Sequence, residues 1–351
     1  MGAKYFLAAV MACAVSASAG AQAPKPGTLE TYKDWTIGCD NRGRCEAVSL
    51  LAEGADWPDN PVMVGISRDA GPAAEPEVWA SRDAKGPAEY AFLVDGRRIA
   101  STTGMDGEAK ISGPQASALA VAMARGFSLE IRSGARLLGR PSLAGSGAAL
   151  RYMDAQQGRA GTTTALIATG PLRANAVRPA PLAPTVIRLP ISSGPAPAAF
   201  WREELTALGS FTGCAKEMRD AQPLEQHRLS KAEALVLVPC GSGAYNFTSV
   251  PVIATGVPGR RTFRFATFDY QPGWSEDAKH PMLVNASWSP QQARLESHAK
   301  GRGLGDCGGS ESYVWDGMGF RLVEAAAMGE CRGAWHWITT WSARIAEKSG
   351  H

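Results

Sequence analysis

Past residue 21 the chain holds no apolar run approaching the roughly 18 residues that a membrane-spanning helix requires. That excludes a helical transmembrane segment from the mature protein. An excess of one charge is missing too: 36 basic residues stand against 33 acidic ones, for a net charge of +3. No Lys/Arg run forms the stripe that nucleic acid needs. G-x-S-x-G, H-E-x-x-H, the P-loop and the D-x-D-x-D-G calcium loop are all absent. The lack of any C-x-x-C argues against a thioredoxin-like redox centre and against a tight zinc couple. Residues 303–308 match G-x-G-x-x-G, but the polar stretch 297–302 precedes them where a dinucleotide fold would place an apolar strand. They read as a tight glycine turn, and neither cofactor nor metal is expected.

What is abundant is glycine and proline, 39 and 23 of 351 residues, well above the usual share of about 12%. Turns and short strands are favoured over long helices. Residues 1–21 read as a cleaved export signal: Lys4 supplies the positive region, Tyr5 to Val15 the short apolar core, and Ala17-Ser18-Ala19 or Ala19-Gly20-Ala21 the cleavage site. Val10-Met11-Ala12-Cys13 is a poor lipobox, because Met11 fits badly and the apolar stretch before it is short, so lipidation at Cys13 is not expected. Export makes the periplasm the expected location and puts the six remaining cysteines in an oxidising compartment. Six cysteines allow fifteen connectivities, but these fall as three local couples, giving Cys39–Cys45, Cys214–Cys240 and Cys307–Cys331. Each longer loop would contribute on the order of 3–4 kcal/mol.

Residues 170–198 carry seven prolines and three arginines with no hydrophobic periodicity. They read as a semi-rigid linker, although Thr185-Val186-Ile187 allows the alternative of an edge strand packed along one domain. The linker divides a β-rich domain at 28–169 from a second at 199–347. The predicted fold is mostly β with a few short helices: two antiparallel-sheet domains stapled by disulfides. In the first, Trp35, Ile37 and Cys39 alternate, as do Val62, Val64 and Ile66, and Asp95-Gly96 marks a hairpin. Helices are expected at 113–125, with Ser112 and Gln115 as a capping box and Leu119, Met123 and Phe127 along one face, and at 148–157. The second domain opens with a helix whose Trp201, Leu205 and Leu208 share a face. Short strands follow, among them Leu235-Val236-Leu237-Val238.

Two sequons, at Asn246 and Asn285, read as chance matches. His336 alternates with Trp335 and Trp337, and faces solvent if the tryptophans face the core. Ten tryptophans occur, mostly expected as core anchors. The candidate ligand site is the segment holding Arg302, Asp306, Gly308, Gly309, Glu311 and the Asp316-Gly317 turn. These are expected to gather at one end of the second domain, with Tyr313 or Trp315 as an aromatic wall. The competing view is that the glycines only turn the chain and both aromatics are buried.

Five motifs together resemble the bacterial periplasmic proteins classed as domain-of-unknown-function family 1176. They are Leu235-Val236-Leu237-Val238-Pro239-Cys240, Gly243-Ala244-Tyr245-Asn246, residues 301–308, Trp315-Asp316-Gly317 with Phe320, and Glu330-Cys331-Arg332-Gly333. Asp34-Trp35 with Cys39-Asp40 and Cys45 resembles the opening of the invasion-associated locus B proteins. Neither resemblance implies a catalytic residue. The first implies a small exported protein, and the second hints at an envelope or host-facing role. Two functions follow. One is a non-enzymatic envelope protein binding a protein, glycan or cell-wall component. The other is an exported hydrolase with a site built from scattered residues such as Asp306, Glu311 and His336. Whether a His–carboxylate pair meets in one cleft separates them.

Overall fold

The computed structural model describes residues 23–191, 194–220, 224–271 and 280–348, so the predicted export signal and Cys13 lie outside the described residues. The first half is one ten-stranded antiparallel sheet. Its strands are β1 (Leu29–Tyr32), β2 (Trp35–Cys39), β3 (Cys45–Ser49), β4 (Met63–Arg68), β5 (Pro76–Ser81), β6 (Pro87–Val94), β7 (Arg97–Met105), β8 (Glu108–Ile111), β9 (Leu129–Ser133) and β10 (Arg136–Gly139). They lie in the order β1-β2-β3-β4-β5-β8-β7-β6-β9-β10. Helices α1 (Gly113–Arg125) and α2 (Ser146–Gln156) cover one face and bury Trp35, Ile37, Val64, Ile66, Leu119 and Met123 in a shared core.

Asp95 and Gly96 both take positive φ, 49° and 77°, as the two-residue β6–β7 turn requires. The Asp95 carboxylate then accepts the amides of Phe127 (3.0 Å) and Ser128 (2.9 Å), which fixes where β9 begins. Two local expectations at α1 fail. Ser112 occupies the N-cap but makes no side-chain capping bond. Phe127 is 94% exposed rather than aligned with Leu119 and Met123, because Gly126 ends the helix in extended geometry.

Within the Pro-rich stretch, Leu172 bridges Thr162 and Val177 is buried. Strand β11 (Thr185–Arg188) pairs in parallel with β22 (Arg344–Glu347), and the Leu189 amide donates to the Trp315 carbonyl. The edge pairing that the sequence allowed at Thr185-Val186-Ile187 therefore forms, and it runs along the second half.

That half begins with α3 (Arg202–Thr212) and α4 (Ala215–Asp220). One sheet holds β12 (Glu225–Arg228), β13 (Glu233–Ser242), β14 (Phe247–Thr255), β15 (Thr262–Phe265) and the short β16 (Leu283–Val284). The other holds β17 (Ser287–Ser289), β18 (Arg294–Lys300), β19 (Gly308–Trp315), β20 (Phe320–Met328) and β21 (Ile338–Ser342). The run 235–238 is apolar at every position because both its faces are covered. Leu235 and Leu237 meet Leu295, Tyr313, Trp315 and Phe320 of the second sheet, while Val236 and Val238 meet Leu208 of α3. On α3 only Leu208 of the expected face is buried; Trp201 and Leu205 are exposed. Glu204 takes the inward position instead, accepting from Arg261 (3.0 Å) and from the amides of Trp201 and Gly259 (2.9 Å each).

Cys39–Cys45, Cys214–Cys240 and Cys307–Cys331 are disulfide-bonded, with Cα separations of 4.0, 5.0 and 4.7 Å. The two halves share a further core, in which Val48, Leu50, Met63 and Trp79 pack on Cys307, Met328, Ala334 and Ile338. This is why β3 is buried along its whole length. Polar stitches border the core. The Arg332 guanidinium donates to the carbonyls of Lys33 (2.7 Å) and Leu51 (2.7 Å) and to the Asp34 carboxylate. Asn41 and Ser342 exchange two hydrogen bonds of 3.0 and 2.8 Å. Removing Arg332 takes the donor from two carbonyls and from one oxygen of a largely buried carboxylate, whose other oxygen keeps the Ser142 hydroxyl at 2.6 Å. Arg332→Ala is therefore expected to lower unfolding free energy by about 2–4 kcal/mol. Arg44→Ala, which breaks the open Arg44–Asp69 pair, should cost under about 1 kcal/mol. Urea denaturation of both variants checks this, and equal losses would refute a special role for Arg332.

Candidate functional site

The segment 302–316 does not form one cluster. Arg302 grips Asp306 with two hydrogen bonds of 2.7 and 2.6 Å, and the Gly333 amide donates to the same carboxylate at 2.7 Å. Burial alone would raise the Asp306 carboxyl, but Arg302 and Gly333 outweigh it and hold it below its ordinary range. Arg302 also lies over the Trp57 ring of the first half, 5.6 Å from its centroid. These two residues therefore belong to the seam between the halves.

From Gly308 the chain is strand, not loop. Gly308 has φ 142°, and a side chain there would overlap the Ala299 carbonyl and the Trp337 ring, which is why the position is glycine. Eight strand residues at about 3.3 Å each place Asp316 at the far end of β19 from Asp306. Asp316 closes the β19–β20 turn, accepting from the Met318 amide (2.7 Å), the Gly319 amide (2.8 Å) and Arg321 (2.6 Å). Tyr313 and Trp315 are fully buried in the core and offer no aromatic wall. The expected gathering at one end is corrected by the length of this strand.

Glu311 is the exception. It sits in mid-strand between Ser297 of β18 and Ala325 of β20. Burial pushes its carboxyl up to about 7 against the opposing hydroxyl of Ser297. Among the described residues its Oε2 has no hydrogen-bond partner, and neither has the Oγ of adjacent Ser312. Both residues border a cavity of about 230 Å³, Ser312 through its side chain together with Arg294, Glu296 and His298 of β18, Ser310 of β19 and Glu324 of β20, whereas Glu311 and Ser297 turn their side chains to the other face of the sheet. Arg294 reaches toward Glu324 at 3.8 Å. The His298 ring lies flat on Trp337 at 4.4 Å, and burial, then Lys300, holds its pKa below the ordinary value. Sequence reasoning found Glu311 but missed its β18 neighbours. The available signal was the polar alternation of Arg294, Glu296 and His298 set against Ser310 and Ser312.

A His–carboxylate pair does meet, at the seam. His336 Nε2 lies 3.1 Å from Glu46 Oε1, the oxygen that also accepts from Trp79 Nε1 at 3.1 Å. The imidazole packs against the Trp79 ring at 4.6 Å. Beside it, Trp335 Nε1 donates to the Ser81 hydroxyl at 3.3 Å, and that hydroxyl donates to Glu108 at 2.5 Å. Serine and histidine thus serve separate carboxylates. The two sequon asparagines tie strands together: Asn285 donates to Asn246 and to the His298 carbonyl, each at 2.9 Å. Among the described residues no group of three His, Cys, Asp or Glu side chains is placed to hold a metal. No helix there is long and apolar enough to cross a membrane.

Two pH dependences follow, of different origin. Glu46 raises the His336 pKa above its ordinary value. The stabilisation from protonated His336 is therefore full below pH ~6.5 and lost as pH rises through the elevated folded value. His336→Gln should lower the melting temperature more at pH 5.5 than at pH 8.5, and an equal drop at both would refute the pairing. Glu311 also titrates above its unfolded value, at about 7 against 4.5, so its contribution is full below pH 4.5 and lost by pH 8.5. Neutral Glu311→Gln should match the parent at pH 4 and exceed it by about 3 kcal/mol at pH 8.5. Denaturant titration at the two pH values checks this, and a constant difference would refute it.

No solved structure matches the chain. The uncharacterized protein YpfG of Escherichia coli (strain K12) is 27% identical over 340 residues, covering 89% of this chain and 92% of that protein. The family model described as "Protein of unknown function (DUF1176)" matches residues 29–344, and with nine-tenths of its length inside that match the chain belongs to this family.

Proposed function

We propose that the mature chain is an exported, periplasmic binding protein that takes a hydroxyl-rich glycan or cell-wall fragment in the cavity on β18–β20, without covalent chemistry. The observation that carries this reading is the buried, unpartnered Ser312 Oγ at that cavity, on the sheet face it shares with Ser310, Glu296 and Glu324. Such a group costs about 1–3 kcal/mol unless something satisfies it. A ligand with many hydroxyls, able to donate and accept, recovers that cost. The other lining groups suit the same chemistry: serine hydroxyls as two-way partners, Glu296 and Glu324 as acceptors, Arg294 as donor. The predicted export signal and the three disulfides support the compartment.

Purified mature protein should co-sediment with peptidoglycan sacculi and be released by soluble fragments of them. The double variant Ser310→Ala/Ser312→Ala should lose about tenfold in retention at an unchanged melting temperature. No retention of the parent, or full retention of the variant, overturns the reading. Terminal sequencing of protein from the periplasmic fraction should find the chain beginning after Ala19 or Ala21. An intact Met1 in the cytoplasm would overturn export.

A further inference from the structure

In the first half two arginines are buried side by side without a carboxylate to pair with. Arg159 is fully buried and Arg68 is 5% exposed. They share acceptors: the Ala74 carbonyl takes Arg68 Nε at 3.0 Å and Arg159 Nη2 at 3.3 Å. Thr164 takes Arg68 Nη1 on its carbonyl (2.8 Å) and Arg159 Nη1 on its hydroxyl (3.2 Å). Arg159 spends its remaining donors on Gln157 and the Gly71 carbonyl. The nearest buried acid is Asp154, fully buried as well. Its oxygens are occupied by the amides of Leu166 (2.9 Å), Ile167 (2.8 Å) and Ala168 (3.0 Å), which shape the loop beside α2.

Two buried cations thus stand against one buried anion, with the exposed Glu75 the next acid whose charge acts on Arg68. Burial and the neighbouring Arg159 push the Arg68 guanidinium down to about 10, as expected where a cation lacks a counter-ion. Among the described residues the second terminal nitrogen of Arg68 makes no hydrogen bond. Arg68 lines an open cavity of about 300 Å³ whose other walls include Ser117 and Val121 of α1, Pro72, and Thr163 to Leu166. Glu75 is the one acid on its rim, and it is exposed. Hydroxyls of Ser117 and Thr163 lie beside Pro72, Val121 and Leu166 in a lining of mixed polarity.

From this placement we infer a second ligand site, built for a monocarboxylate with a small apolar body. The carboxylate would meet the Arg68 nitrogen and the flanking hydroxyls, and the body would lie on Pro72, Val121 and Leu166. A monoanion balances one surplus charge, whereas a phosphate dianion would exceed it. The site is independent of the β18–β20 cavity.

The test titrates the full mature protein with butyrate, neutral butyramide and inorganic phosphate, following backbone amide resonances. Butyrate should shift the amides of 73–75 and 163–166 with millimolar or tighter affinity, and butyramide should bind at least tenfold more weakly. Ser117→Phe, on the partly exposed face of α1, should fill the cavity and remove the butyrate shifts while the protein stays folded. Glu75→Gln should tighten butyrate severalfold by deleting a like charge. Equal shifts from butyrate and butyramide, tighter binding of phosphate, or butyrate binding that survives Ser117→Phe would each overturn the assignment.

Discussion

Arg332 is the residue through which the two halves of the molecule hold one another in place. Its guanidinium spans the Lys33 and Leu51 carbonyls and Asp34, while its own carbonyl accepts the Leu51 amide at 2.8 Å. On one side Cys331 is bonded to Cys307. On the other, the Gly333 amide reaches Asp306. Three consecutive residues therefore tie the disulfide loop, the first sheet and the Asp306–Arg302 pair into one unit. Everything downstream is seated by that anchor: Ala334 and Ile338 enter the shared core, His336 finds Glu46, and Trp335 finds Ser81. Apolar burial supplies the bulk of the attraction, but it is non-directional. The charged and hydrogen-bonded groups around Arg332 set the register.

That register decides where the candidate site lies. At its Gly308 end, β19 is closed over by Trp337 and Met328, which belong to the seam. Toward Ser310 and Ser312 the same strand loses this cover, and the cavity opens there. The His298–Trp337 stack marks the border between the two regimes. Docking of the halves thus shapes one wall of the cavity, so a change at the seam is expected to reach the site through the position of Trp337.

Much of the architecture could be read from the residues because it rests on local signals. The Asp95-Gly96 turn, the α1 span, the apolar run at 235–238 and the spacing of the cysteines each needed only a short window. What escaped depended on partners far away in sequence. The Leu119/Met123 face was extended to Phe127 because periodicity cannot show that Gly126 turns the chain away. Trp201, Leu205 and Leu208 share a periodic face, yet Glu204, held by Arg261, is an inward residue of α3. Glycines at 308 and 309 suggested a loop, since nothing local reveals that Trp337 crosses above them. Glu311 was visible as a candidate, but its pairing with Ser297 is a matter of strand register, which the sequence leaves open.

Buried polar groups are satisfied to different degrees along the molecule. In the seam, Arg332, Asp34 and Asp306 are all bonded, and Asn41 and Ser342 satisfy each other. In the first half, Asp154 and Arg159 spend their capacity on loop amides and carbonyls. Such pairing is what a fold needs, because an orphaned buried polar group costs free energy, although Tyr90 Oη, Trp315 Nε1 and the seam's Trp337 Nε1 are also buried without a partner among the described residues. Ser312 is unpartnered where the sheet face is open, while Glu311, next to it in the strand, points to the covered face beside Ser297 and Ala325. Core carboxylates are normally replaced by apolar residues or given a donor, and Ala325 directly opposite shows that this environment accepts an apolar side chain. The same sheet therefore holds an apolar residue and an unsatisfied acid side by side. Packing explains the first, and burial, which holds the second protonated up to about pH 7, explains how an acid without a donor is tolerated there.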